Sequence, residues 1–189
     1  MPKLTLPTNK LLWISAASLA LAGLGTEAHA ALIAASDSHV TFEGKGPAGF
    51  KVTGTTTDLT VAESDGNVVI TVLLANLNTG IDLRDHHMRE KYLEVPKFPS
   101  AVLTIARSAL HVPAGPERVE ADAPGTLTLH GQTHPVSVHY DAKQEGAAYS
   151  VHGHFHINMN DYGINVPSYL GITVKPDIDV TASLHVTGN

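Results

Sequence analysis

The chain has 189 residues, with 12 Lys and Arg against 18 Asp and Glu, and no cysteine. Without cysteine there are no disulfides, thiolate metal sites, thiol nucleophiles or lipidated cysteine anchor, so the fold must rest on its packed core. The formal net charge of −6 argues against nucleic acid as a partner, because there is no basic excess to meet a phosphate backbone.

At the N-terminus, Lys3 and Lys10 flank the start of the apolar segment Leu11 to Gly25, which is followed by the small-x-small pattern Ala28-His29-Ala30. These features predict a secretory signal peptide over residues 1–30 and no stable membrane anchor, since an apolar run of about fifteen residues is shorter than the ~20 that span a bilayer. Cleavage after Ala30 leaves 159 residues, 31–189, a length suited to one domain with a sizeable core. Loss of Lys3, Lys10 and Glu27 takes the net charge to −7.

From Ser36 onward, runs of Val, Thr, Ile and Leu alternate with Gly, Pro, Asn and Asp. This predicts an antiparallel all-β domain of about eight or nine strands, closed into a barrel or paired into a sandwich. Val40 and Phe42 share one strand face, Phe50 and Val52 another, and Val68 to Leu77 reads as a central strand apolar on both faces. The segment from Gly80 to Ser100 breaks the pattern. Asp82 can cap a helical insertion near residues 82–93, Asp85 adds negative charge to its first turn, and Met88 and Tyr92 share a face at i, i+4. From these residues alone the helix is either a plug that closes the core or the lid of a ligand pocket.

Beyond the helix, Leu103 and Ile105 point to one side of a strand, and Leu127, Leu129, Val136, Val138 and Tyr140 alternate in the same sense. Between the last two strands, His130-Gly131-Gln132-Thr133 places Gly131 first in a type II′ turn, and a second hairpin turns at Lys143 to Gly146. The return strand carries Tyr149, Val151, Gly153, Phe155 and Ile157 on one face, with His152, His154 and His156 on the other. Ile178 to Val186 forms the final alternating strand.

Three groups of motifs bear on function. Thr79-Gly80, Arg84-Asp85, His87-Met88, Tyr92-Leu93 and Phe98-Pro99 form the first. The second is Gly125 to Val136, which fits G-x-L-x-L-x-G-x-T-x-P-V, and the third is Asp161-Tyr162-Gly163-Ile164. Together they resemble the signature of the YceI-like family of bacterial lipid and polyisoprenoid-binding proteins, over essentially the whole mature chain. The spacing from His87-Met88 to Tyr92-Leu93 is one residue shorter than the usual family pattern, which bears on the register of the helix.

The resemblance implies an extended antiparallel β-barrel, lipocalin-like in shape, around an elongated apolar cavity. It also implies periplasmic carriage of a polyisoprenoid, an isoprenoid quinone or a similar amphiphile. Phe42, Phe50, Leu103, Ile105, Leu127, Leu129, Val138, Phe155 and Ile157 are the inward candidates, with Met88, Tyr92 and Tyr162 added at the lid and mouth. The same inward phase also defines an ordinary filled core. Arg84, His86 and His87 can offer donors to a quinone or phosphate head group, or Arg84 and Asp85 can simply anchor the helix.

No cofactor is required by these motifs, and the expected partner is a small hydrophobic ligand, with a homodimer left open. The chain has no G-x-S-x-G elbow, H-E-x-x-H helix, Walker loop or G-x-G-x-x-G fingerprint, so binding and not turnover is expected. The alternative function is periplasmic zinc or copper binding by His152, His154 and His156, whose alternate spacing on one strand face is about 6 to 7 Å. His130, His139 and His185 are expected on that same outward side. A solvated polar face is the other reading of the same histidines.

Overall fold

The computed structural model describes residues 32–169 and 172–188. The expected signal peptide lies outside the described residues. The elements in chain order are β1 (Leu32–Ala34), β2 (His39–Lys45), β3 (Lys51–Thr56), β4 (Leu59–Ser64), β5 (Asn67–Leu73), α1 (Asp82–His87) and β6 (Ser100–Ala106). They continue as β7 (Arg118–Leu129), β8 (Gln132–Glu145), β9 (Ala148–Asn158), β10 (Ser168–Tyr169), β11 (Ile172–Thr173) and β12 (Asp177–Gly188).

The main sheet is antiparallel in the order β3-β2-β12-β9-β8-β7-β6-β5-β4, with β1 also paired to β12. This is the expected all-β fold, a sheet curled into a barrel-like half-shell with one short helix. The two end strands, β3 and β4, are consecutive in the chain and separated only by Thr57 and Asp58. The edge of β3 is partly covered where Thr55 and Asn78 exchange N–H···O bonds of 2.9 and 3.0 Å. Such cover matters because an open strand edge invites pairing with another chain.

The alternation in β7, β8, β9 and β12 puts Leu127, Leu129, Val138, Tyr140, Phe155, Ile178, Leu184 and Val186 inside. β5 ends at Leu73, not at Leu77. Leu74 N–H makes one more in-register bond, to Pro99 C=O (2.9 Å), before the chain turns with Leu77 N–H donating to Leu74 C=O (3.3 Å), and Leu74 and Leu77 both enter the core.

Two turns also differ from expectation. Leu129 pairs with Gln132, so His130 and Gly131 are the central residues, and both have positive φ (51° and 76°), the requirement of a type I′ turn. The second hairpin turns at Gly146-Ala147 between Glu145 and Ala148, and only its first central residue, Gly146 (φ 65°), has positive φ, as a type II′ turn needs.

Candidate functional site

The barrel encloses a cavity of about 630 Å³, within the ~300–1,000 Å³ range of small-molecule sites. Its walls come from β2, β3, β5, β6, β7, β9 and β12, and its cover is α1 with the turn that follows. Eleven of the residues singled out in the sequence line it: Phe42, Phe50, Arg84, His87, Met88, Tyr92, Leu103, Leu127, Leu129, Phe155 and Ile157. Ile105 and Val138 instead line a smaller, deeper cavity. Tyr162 lines neither, and His86 stays outside on the lid.

The lid is held by a polar knot at its first turn. Asp85, 3% exposed, accepts hydrogen bonds from the Thr79 N–H (2.8 Å) and the Thr79 hydroxyl. Arg84 donates from Nε to Thr79 Oγ1 (2.7 Å) and from Nη2 to Thr79 C=O (2.7 Å). Asp82 does not cap the helix. The N-cap residue is Ile81, without a side-chain cap bond, and Asp82 falls inside the first turn. The anchoring carboxylate is Asp85, because it reaches back to Thr79 and takes the place of a cap.

After α1 the backbone widens into a π-helical turn over Met88–Tyr92, where Leu93 N–H donates to Met88 C=O (2.9 Å). The turn ends at Glu94, which has positive φ (46°). The helical path therefore reaches Tyr92, close to the expected limit. Its change of winding falls in the segment whose length departs from the family pattern, and π-turns of this kind occur often at functional sites.

Arg84, His87, Met88 and Lys91 are spaced i, i+3, i+4 and i+7, so one stripe of the lid faces the cavity. Arg84, His87 and Lys91 are the titratable basic groups in a lining that contains no carboxylate. Arg84 anchors the lid and also lines the cavity, since Thr79 engages only part of its fork of donors. Lys91 was missed, although its i+4 relation to His87 was the available signal. Ile81 and Leu83 also line the cavity while 53% and 60% exposed, which marks them as its rim.

A second contact set fixes the mouth. Phe98 packs on His130 with ring centroids 4.5 Å apart, and His130 Nδ1 lies 3.0 Å from Tyr162 C=O. His130 is therefore not on the outer strand face. The turn tucks it under Phe98, and its Nε2 is buried without a hydrogen-bond partner. Tyr162, 2% exposed, is a packing post behind the mouth, and burial pushes its phenol above the ordinary value, with Asp161 adding to the effect.

Of the outer histidines, His152, His154 and His156 do project away from the core on β9. His139 joins them, its ring 5.2 Å from that of His154. Asp122 lies 3.0 Å from His139 Nδ1 and Glu120 lies 3.2 Å from Nε2, and the hydrogen bond to Asp122 is the main reason this imidazole holds its proton to higher pH than usual. His156 pairs with Asp179, and His185 Nδ1 lies 2.7 Å from Asp37. Among the described residues, no three or more His, Cys, Asp or Glu side chains gather in a way that could hold a metal ion.

Residues 32–186 match the model of the YceI-like domain. A UPF0312 protein of Pseudomonas syringae pv. tomato is 34% identical over 116 residues, 57% of this chain and 56% of that protein, so the match spans about half the length of this curated relative. Among solved structures, a polyisoprenoid binding domain from Saccharophagus degradans, implicated in plant cell wall breakdown, superposes with a TM-score of 0.70 at 21% identity, covering 85% of this chain and 100% of that one. BcnA of Burkholderia cenocepacia gives 0.64 at 18% identity, covering 79% and 96%. At these identities the structural likeness is one of fold.

Proposed function

The chain belongs to the YceI-like family, and from that premise we propose that it binds and carries a polyisoprenoid or similar long amphiphile through the periplasm without catalysing a reaction. The observation that carries this reading is the apolar cavity of about 630 Å³ beneath a lid that presents Arg84, His87 and Lys91 to it and no carboxylate. The polyisoprenoid binding of the Saccharophagus domain, which shares the fold, supports the same assignment.

A polyprenyl tail offers no polar handle, so its affinity must come from leaving water. At about 0.8 kcal/mol per methylene, one isoprene unit contributes roughly 3 to 4 kcal/mol gross. A few units suffice for tight binding after the cost of ordering the chain. Such a ligand requires length and dryness from the walls, and the polar selection falls to the mouth. There Arg84, His87 and Lys91 favour an anionic head group or a strong acceptor over a neutral alcohol.

The test is native mass spectrometry of the protein isolated from its own periplasm, followed by organic extraction. Recovery of a stoichiometric polyprenyl or quinone species supports carriage. A protein that is empty, and that takes up no prenyl compound when offered one, overturns it.

A further inference from the structure

Deeper in the barrel lies a second cavity of about 170 Å³. No residue of the lid borders it, and its walls include the apolar cluster of Val61, Val68, Leu184 and Val186 at the far end. Its rim includes Glu63 and Arg107, paired at 2.9 Å. Four residues, Ile70, Leu103, Phe155 and Ala182, line both cavities. The partition between the two spaces is therefore a layer of side chains.

Phe155 is the largest member of that layer. On the same inward face of β9, two residues earlier, stands Gly153, which pairs with Ala182 of β12 and borders only the deeper cavity. The row beside the Phe155 ring on the deeper side is thus a Gly–Ala pair. A Cβ built on Gly153 would meet Val138 Cγ1 at 3.5 Å, an ordinary van der Waals contact, so a small side chain fits here without displacing a neighbour. A phenylalanine on a strand has two common χ1 settings, and on this side its inward neighbour on the same strand is a residue without a side chain.

We propose that the deeper cavity is a subsite for the terminal part of the hydrocarbon tail, and that Phe155 is the gate the tail passes, folding against Gly153 and Ala182 as it does. The inference rests on the lipid-binding reading above and adds a determinant of chain length to it. At roughly 30 Å³ per chain atom, the share of one water in the liquid, the first cavity holds on the order of 20 atoms and the second about 6, close to one isoprene unit.

The experiment offers the full chain a series of linear prenyl phosphates of about two to about eight isoprene units and ranks them by competition in native mass spectrometry. Affinity rises by about tenfold or more per unit until both cavities are filled, and then levels off. Gly153→Leu fills the deeper cavity and brings that plateau about one unit earlier, with shorter chains bound as before. Phe155→Ala opens the partition and does not shorten it. If circular dichroism shows that Gly153→Leu does not fold, Val151→Phe fills the same space from the next inward position. A plateau at unchanged length in a folded variant with the cavity filled overturns the subsite alone. A wild-type chain that binds no member of the series overturns the carrier reading and the subsite with it.

Discussion

The two ends of the barrel solve different problems. At the far end Val61, Val68, Leu184 and Val186 form a packed cluster on three strands, β4, β5 and β12, with regular geometry. At the mouth the backbone is irregular, with the π-helical turn, Glu94 at positive φ and His130 in a tight turn, and polar contacts do much of the fastening. Apolar packing holds the far end, around the smaller cavity. Directional hydrogen bonds hold the mouth of the larger one, because they fix a lid without occupying the space beneath it.

Breaking the boundary between the two ends has the largest effect. Phe155→Asp places an unpaired carboxylate in the middle of the apolar interior, and the expected outcome is complete loss of co-purifying lipid from a barrel that still folds. Undiminished lipid in the folded variant removes Phe155 from the binding wall.

The contrast in packing predicts unequal stability losses. Leu184→Ala in the far cluster costs about 2 to 5 kcal/mol, whereas Met88→Ala, whose side chain is only partly buried beside the larger cavity, loses fewer contacts and costs less than about 2 kcal/mol. Urea unfolding of the two variants measures the difference, and equal losses show that the mouth is packed as tightly as the far end.

The lid latch is next in size. Asp85→Ala leaves the partly buried Thr79 N–H without its acceptor, a loss of about 1 to 3 kcal/mol. Amide exchange of α1 accelerates and bound lipid dissociates faster, while exchange in β12 is unchanged. Equal acceleration throughout the sheet places Asp85 in global stability instead of the latch.

The smallest effect is on the outer face. Because Asp122, aided by Glu120, raises the His139 value, the associated stability is fully present below the unfolded value near 6.5 and is lost as pH rises through the higher folded value. Asp179 behaves oppositely. Lys45 lowers its value, so that contribution is present above the unfolded value near 3.8 and fades as pH falls through the lower folded one. Asp122→Asn shifts the His139 midpoint downward in a proton NMR titration and leaves lipid content unchanged. An unmoved midpoint removes Asp122 as the cause.

The sequence by itself determined the strand faces. In β7, β9 and β12 the two-residue period sends Leu127, Phe155 and Leu184 inward and His154 outward, because every second side chain of a strand shares a face wherever the strand is placed. The stripe of Arg84, His87, Met88 and Lys91 was legible for the same kind of reason, being a helical period. Turn positions were less so, since His130-Gly131 and Gly131-Gln132 are both acceptable turn centres until the pairing of Leu129 with Gln132 selects one.

Only the tertiary structure decided whether the inward face encloses a filled core or a cavity. Periodicity records the direction of a side chain and not its distance from the opposite wall. It also could not separate Ile105 from Leu103, which share a face of β6 while only Leu103 borders the larger space, nor remove Tyr162 from the lining. Those assignments depend on how far the sheet curls and where the lid comes to rest, and both are set by contacts between residues distant in the chain.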